Sequence, residues 1–264
     1  MSTLNVIETY IDKESNYYGS FLIEPLSIGQ GITVGNALRR TLLSDLTGFA
    51  ITGVRINNLK HEFNSIQGLR EDVLELLLNL KEINLKPSFQ ATQKVDNLEF
   101  KGYLKVKGPL VVTAGLFNLP KQVLKIVNPQ QYICTILDDS ELYLEIDIER
   151  GKGYKLSDDN RKTKIIKKLA GPKPSTLNID SIFMPIKKVN YKVKLIHDSQ
   201  GNIKESLNIE IWTNGSVTPK RSLQESIKIL MNLFYPLLVT PEFLNISSEL
   251  SKRFFKPELN SNNN

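Results

Sequence analysis

The sequence is poor in the residues that form most metal and redox sites. Its 264 residues include one cysteine, Cys134, and two histidines, His61 and His197, which lie far apart. One cysteine excludes an internal disulfide framework and a cysteine-based zinc site, and the histidines form no HxxxH or HExxH pair. We therefore expect a protein of a reducing compartment that holds no metal and no cofactor.

Long apolar runs and targeting signals are also missing. No apolar run reaches the roughly 20 residues that span a bilayer. The first twenty residues show neither the basic and apolar regions of a signal peptide nor the arginine-rich, acid-poor character of a transit peptide. With 41% hydrophobic and 23% charged residues, the composition is typical of a soluble globular protein.

The pattern of a catalytic site is absent as well. Cys134 lies in "YICTIL", among apolar strand residues, and is expected to be a small buried side chain. The pairs 138–139 and 158–159 are adjacent aspartates in turn-like contexts, where they do not form an acid/base pair. "RGKGY", at 150–154, lacks the following GK[ST] of a phosphate loop. We expect no catalytic residue in this chain.

The positive charge is concentrated in one segment. The chain has a net charge of +6, and residues 149–173 contain nine Lys and Arg against three acids. Two interpretations remain open, a solvated loop or a loop that also contacts an acidic partner or a phosphate backbone. The second keeps an alternative function open, a stand-alone nucleic-acid-binding protein that uses 149–173.

Two adjacent arginines lie in the first predicted helix. "SFLIEPL", at 20–26, predicts a strand, and Thr33 is the expected N-cap of the helix that follows. At 100° per residue one half of this helix is largely apolar. That half holds Val34, Ala37, Leu38, Thr41, Leu42 and Leu46, whereas Arg39, Arg40, Leu43 and Ser44 occupy the other. The second half is either a solvated face or a partner surface, for which arginine is favoured.

A second helix is predicted in "SIQGLREDVLELLLNLKEINL". A spacing of four and three residues from Leu69 to Ile83 indicates about four turns. The residues expected to point outward are Glu71, Asp72, Glu75 and Asn79. Because Leu74 and Leu78 lie outside the main stripe, the apolar arc is wide enough for a second contact.

Strands and a third helix complete the pattern. Alternation predicts strands from 91 to 148, most clearly in "LYLEIDIER", and again from 181 to 212. Thr218 and Pro219 then predict a helix start, and Pro236 its end. Its stripe is Leu223, Ile227, Leu230 and Phe234, widened by Ile229, Met231, Leu233 and Tyr235. Arcs of this width are typical of a subunit with a partner.

Several motifs resemble one known family. "GNALRRTLL", "GLREDVLELLLNLK", "ERGKGY" and "TNGSVTPKRSLQESIKIL" follow one another from about residue 20 to 240. In this order they resemble the N-terminal domain of the α subunit of bacterial-type, multisubunit RNA polymerase, and most of all its plastid-encoded versions. The resemblance implies a non-catalytic subunit of a nucleotidyltransferase complex that is located in the plastid and made there.

The resemblance also implies the fold. It is an α+β fold in which a discontinuous dimerisation domain, residues 1–50 and 186–240, carries an inserted β-rich domain, residues 51–185. Residues 241–264 are expected to form a short disordered tail, whereas the bacterial family continues into a DNA-binding domain. The residues expected at the homodimer interface are Leu38, Leu42, Leu223, Ile227, Leu230 and Phe234.

Two large partners follow from the same resemblance. The family's α dimer is an assembly platform for the β and β′ subunits, which hold the catalytic aspartates, and it meets DNA through the complex. The positions that match the family's β contact are Arg39, Arg40 and Leu43. Those that match its β′ contact are Glu75, Lys81, Ile179, Asp180 and Pro185.

Overall fold

Strands are the commonest regular element among the residues that the structure describes. The structure, a computed structural model, describes residues 3–11, 17–57, 59, 63–88, 99–120, 122–157, 176–198 and 200–238. These residues contain three α-helices and fourteen strands, so the prediction of a mixed helix and sheet structure is confirmed. Among them, no helix combines the length and the apolar character needed to cross a bilayer.

The elements follow one another in chain order with these bounds: β1 Thr3–Ile11, β2 Tyr17–Leu26, α1 Gln30–Ser44, β3 Thr47–Ile56, α2 Val73–Lys81, β4 Leu85–Pro87, β5 Phe100–Lys107, β6 Leu110–Thr113, β7 Leu124–Ile126, β8 Tyr132–Ile136, β9 Glu141–Lys152, β10 Tyr154–Lys155, β11 Leu177–Asn178, β12 Ser181–Ile182, β13 Ile186–His197, β14 Ile203–Thr213 and α3 Pro219–Leu238. A 3-10 turn, Ala114–Leu116, follows β6.

Both ends of the described chain build the first sheet. Its strand order is β1-β2-β14-β13 and every neighbouring pair is antiparallel. Along β14, Leu207, Ile209 and Ile211 are buried and alternate with polar neighbours, as expected for a sheet covered on one face. Helices α1 and α3 cover that face. The hydrophobic cluster beneath them is Phe21, Leu26, Leu38, Leu42, Leu46, Ile186, Val189, Leu207, Ile209, Ile211 and Leu223.

The start of α1 differs from the prediction. The helix begins at Gln30, not after Thr33, whose hydroxyl instead donates to the Gly29 carbonyl at 3.1 Å. The carboxylate of Glu205, on β14, accepts from the Gly29 and Gly31 amides at 2.9 and 2.8 Å. These bonds satisfy amides at the helix end that lack intrahelical partners. A strand residue therefore caps α1 in place of a local side chain.

The middle of the chain forms the second sheet. Its path is β5-β9-β3-β4-β7, with β11 paired to β3. In β9, Leu142, Leu144, Ile146 and Ile148 are all buried, so the alternation predicted for this strand is confirmed. They join α2 and the two-stranded sheet β6-β8 in a second hydrophobic cluster.

Helix α2 is shorter than predicted, and one of its flanking acids is buried. It spans nine residues, because Leu69 forms a β-bridge with Ile136 instead of a first helical turn. The prediction that Glu71 points outward is wrong, since its side chain is 5% exposed. The Tyr132 hydroxyl and the Thr135 amide donate to its carboxylate. These partners lie on β8, and they allow a carboxylate to be buried.

Helix α3 begins at Pro219 as predicted but does not end at Pro236. It continues to Leu238, with Pro236 inside its last turn. A proline costs most in a helix interior, where it removes a hydrogen bond and clashes with the preceding turn. Because Pro236 is two residues from the helix end, only Leu237 and Leu238 follow the point where the helix is interrupted.

Candidate partner-binding surfaces

The two adjacent arginines of α1 have different surroundings. Both are exposed, and Arg39 Nε donates to the Val189 carbonyl on β13 at 3.3 Å. Among the described residues, the Arg40 side chain has no hydrogen bond or ion pair. Leu43, half-buried, packs against the first hydrophobic cluster. The structure thus ties Arg39 to the chain and presents Arg40 to solvent.

The six residues expected at the dimer interface differ in exposure. Leu38, Leu42 and Leu223 are at most 3% exposed and lie within the chain's own first cluster. Ile227 and Leu230 are half-buried against that cluster, and Phe234 is 56% exposed. A second copy of the chain can therefore contact Phe234 directly, whereas the three leucines support the helices from within.

The end of α3 carries a patch of exposed apolar side chains. We call these residues the α3 patch: Met231, Leu233, Phe234, Tyr235 and Leu237, each 56–65% exposed. Apolar residues surround the helix here, so one face cannot bury them all against the chain's own core. Clustered exposed side chains of this size mark interaction sites.

Two predicted β′ residues meet beside a tyrosine. Lys81 Nζ, at the end of α2, lies 3.8 Å from Asp180 Oδ2 and 5.2 Å from the centre of the Tyr154 ring. The Tyr154 hydroxyl donates to the same carboxylate at 2.7 Å, and the Ser157 amide donates to it at 2.8 Å. These hydrogen bonds, with that from Tyr154 the stronger, lower the pKa of Asp180.

Tyr154 was missed as a site residue by the sequence reasoning. It lies in the "ERGKGY" motif and is 47% exposed. The hydrogen bond to Asp180 raises the pKa of the Tyr154 hydroxyl, so this group is a neutral donor at physiological pH. The motif gave a signal, but its partner on a separate segment could not be identified from spacing.

The other predicted β′ residues lie apart from this pair. Glu75 is exposed on the first turn of α2. Ile179 is 4% exposed, and its amide donates to the Thr52 carbonyl at 3.2 Å. Pro185 is buried, and its carbonyl accepts from the Asn214 amide at 2.9 Å. Glu75, Lys81 and Asp180 thus reach the surface, and the other two support it.

The residues considered for chemistry are a buried cysteine and acidic side chains that do not gather within the described ranges. Cys134 is buried as expected, and burial raises the pKa of its thiol to about 12, so it is not a nucleophile at neutral pH. Within the described ranges no three His, Cys, Asp or Glu side chains gather as metal ligands. Asp138 and Asp139 form a bend. His61, and residues 158–173 of the basic segment, lie outside the described residues.

The middle part of the chain matches the model of a known domain family. The family model described as the RNA polymerase Rpb3/RpoA insert domain matches residues 54–184. These residues include the end of β3, the helix α2 and the other strands of the second sheet. The chain thus contains a domain of the class found in RNA polymerase subunits.

Similar whole proteins define the family. DNA-directed RNA polymerase subunit alpha of Pyropia yezoensis is 45% identical over 89% of this chain and 70% of its own length. The protein of the same name from Cyanophora paradoxa is 46% identical over 88% and 69%. That of Trichormus variabilis is 42% identical over 89% and 70%. The chain belongs to the family of DNA-directed RNA polymerase α subunits.

Proposed function

We propose that this chain forms a homodimer and acts as the assembly platform for the β and β′ subunits of an RNA polymerase. The observation that carries the proposal is the 45% identity to an α subunit over most of both chains. The catalytic residues of the complex lie in the large subunits, and this chain contributes none. It contacts DNA through the complex.

The domain division belongs to the same proposal. The dimerisation domain consists of residues 1–50 and 186–240, and the inserted β-rich domain of residues 51–185. Two hydrophobic clusters support the division, since one uses residues 21–46 and 186–223 and the other residues 51–179. The match of the insert-domain model to residues 54–184 supports it as well.

The dimer is supported by the α3 patch. A contact related by twofold symmetry brings the same surface of both copies together, so each Phe234 packs against the other copy's apolar residues. Ile227 and Leu230 border this contact. Leu38, Leu42 and Leu223 position the two helices from the core side.

The β contact is proposed at Arg40 and Leu43, with Arg39 holding the helix on β13. Arg40→Ala is expected to weaken binding of purified β subunit by about 2–5 kcal/mol, because an arginine removed from a buried charge pair leaves its partner unpaired. Titration of β onto the α dimer measures this loss, and light scattering checks that the dimer remains.

Arg39→Ala is the matched comparison, since it deletes the adjacent guanidinium. We expect the smaller loss from it, because Arg39 is bonded to the Val189 carbonyl. Unchanged β binding by intact Arg40→Ala dimers would contradict the proposed role.

The β′ contact is proposed at Glu75, Lys81 and Asp180, with Ile179 and Pro185 supporting the surface.

A plastid location is proposed from the relatives, since similar α subunits come from the algae Pyropia yezoensis and Cyanophora paradoxa. Immunoblotting of purified plastids against the remaining cell fractions tests it, and protein absent from the plastid fraction would contradict it. The alternative is a stand-alone nucleic-acid-binding protein that uses 149–173, a segment of which the structure describes residues 149–157.

A further inference from the structure

Strand β13 is one edge of the first sheet. Among the described strands it pairs with β14 alone, and β1 forms the opposite edge. From the open side, Arg39 Nε donates to the Val189 carbonyl at 3.3 Å. Beyond the other end of the strand, the Asp198 amide donates to the Asn202 carbonyl, toward β14. An edge strand of this length is a template on which a further strand can pair.

The second half of β13 offers its backbone to such a strand. Backbone groups alternate in direction along an antiparallel ladder. Because the Val189 carbonyl points away from β14 and the Asp198 amide points toward it, the backbone groups of Tyr191, Val193 and Leu195 face the open side. Within the described ranges, no hydrogen bond from another element reaches these three backbones.

Two lysines without an ion pair lie beside this open stretch. Lys192 and Lys194 are exposed, and neither forms an ion pair with any residue that the structure describes. Across the ladder Lys192 lies opposite Asn208, and Lys194 lies opposite Ser206. Both of these neighbours are neutral, so the sheet itself does not compensate the two charges.

The lysines of another edge strand are compensated. Strand β5 is at one end of the second sheet, next to β9. Lys101 Nζ lies 2.8 Å from Glu145 Oε1, and Lys105 Nζ lies 3.6 Å from Glu141 Oε2, both on β9. The second sheet thus supplies acids to its own edge lysines, whereas the first sheet leaves those of β13 to a partner.

The two faces of the β13 edge have different chemistry. Side chains alternate between the faces of a strand, so Lys192 and Lys194 lie on one face and Val193 and Leu195 on the other. On the second face, Gly31 of α1 lies directly against Val193, and Leu195 is 68% exposed. A strand in which acidic and apolar residues alternate therefore matches both faces.

The charge also excludes a second copy of β13 as the added strand. Antiparallel pairing of two copies about Val193 would place Lys192 of each copy opposite Lys194 of the other. Like charges directly opposite each other destabilise a strand pair, and opposite charges stabilise it. An acidic segment pairs with the same backbone groups and turns this repulsion into attraction.

We propose that the open edge of β13 binds an extended acidic segment of an accessory protein, which pairs with residues 191–195 as an added strand. Its acids lie opposite Lys192 and Lys194, where an antiparallel pair brings side chains closest, and an apolar residue lies opposite Leu195. The inference goes beyond the platform function. Gly31, which marks this end of α1, is roughly 14 Å along the helix from Arg40 of the proposed β contact.

A short synthetic peptide provides the first test. The probe has about seven residues that alternate valine and glutamate, close to the usual length of a strand. We expect fluorescence polarisation to show saturable binding to the full-length protein. A peptide that alternates valine and lysine should bind at least roughly 10-fold more weakly, because like charges then face each other. Absence of saturable binding by the valine–glutamate peptide would overturn the proposal.

Methylation of the peptide backbone tests the strand pairing without any change to the protein. In the proposed register the valine amides face β13 and the glutamate amides face solvent. Methylation of the valine amides is expected to weaken binding at least roughly 10-fold, whereas methylation of the glutamate amides should change it by less than about threefold. Equal binding of the two methylated peptides would contradict strand addition.

A lysine on each edge strand tests the charge. Lys194→Glu is expected to weaken binding of the valine–glutamate peptide roughly 10-fold, since repulsion replaces an ion pair. Lys105→Glu makes the same change on β5, and we expect peptide binding to stay within about twofold. Thermal unfolding checks that both variants are folded. If the two variants bind the peptide equally well, Lys194 does not contribute and the proposed site is wrong.

Two competitors distinguish the other occupants of this edge. Saturating β subunit is expected to leave peptide binding within about twofold, and displacement of the peptide by β would assign the edge to the β contact. A single DNA strand of roughly ten nucleotides is expected to bind more weakly than the peptide. If it binds more tightly and Lys194→Glu weakens it, the edge binds nucleic acid. Either result overturns the proposal.

Discussion

Arg55, on β3, bonds two carboxylates of β9 and the residue before β11 through its guanidinium. Its Nη2 lies 2.7 Å from Glu145 Oε1 and 2.9 Å from Asp147 Oδ1, and Nη1 donates to Thr176 Oγ1 at 3.2 Å. Lys101 Nζ adds a contact of 2.8 Å to Glu145. Hydrogen bonds from Arg55, and then from Lys101, lower the pKa of Glu145 from 4.5 to about 2.

This network predicts a specific acid sensitivity. A carboxyl whose pKa is lower in the folded state stabilises the fold above its unfolded pKa, and the stabilisation is lost as the pH falls from about 4.5 to 2. We expect Glu145→Gln to cost about 1–3 kcal/mol at pH 7, because a bond between charged groups is lost. The variant should lose less stability than wild type between pH 7 and pH 3.

Denaturant unfolding at both pH values measures the effect. Glu141→Gln is the control, because its contact with Lys105 is 3.6 Å long and both side chains are at least 60% exposed. If Glu145→Gln loses as much stability as wild type between pH 7 and pH 3, Glu145 is not the source of the acid sensitivity.

At the scale of elements, the strand residue Glu205 determines where α1 begins. Its carboxylate binds the Gly29 and Gly31 amides at the positive end of the helix, where a negative charge is favoured. The helix that carries Arg40 is thereby held in register on β13 and β14.

Glu205→Gln is expected to destabilise the fold by about 1–3 kcal/mol. The substitution removes the charge and turns one acceptor into a donor that faces an amide. Glu210→Gln, on the other face of β14, should stay within about 0.5 kcal/mol, since its bond to the Tyr18 hydroxyl is 3.5 Å long. Thermal unfolding compares the two variants, and equal losses would show that the cap contributes nothing.

At the scale of the whole molecule, the α3 patch should control the oligomeric state. Phe234→Asp places a charge among exposed apolar residues, and we expect the proposed dimer to dissociate roughly 30-fold more readily, as for an interface hot spot. Asn232→Asp adds the same charge about 200° around the helix and should leave the dimer intact. Light scattering on dilution measures both, and a Phe234→Asp dimer as stable as wild type would place the dimer contact elsewhere.

Local patterns could be predicted, and long-range partners could not. The strand alternation in β9 and the start of α3 at Pro219 depend on neighbouring residues, and both are confirmed. The start of α1 depends on Glu205, 176 residues after Gly29, and was wrongly assigned to Thr33. Glu71 was wrongly predicted to point outward, because the donors that allow its burial, the Tyr132 hydroxyl and the Thr135 amide, lie on β8.

Because β2 pairs with β14, the first sheet can form only late in the synthesis of the chain. Phe21 lies opposite Ile209, so every residue between these two must be synthesised before the two strands can pair. At about 5–20 residues per second, β2 waits roughly 10–40 s for its partner, with the apolar face of the strand uncovered. The second sheet takes its described strands from residues between those two, so a nascent chain contains them before the first sheet can close.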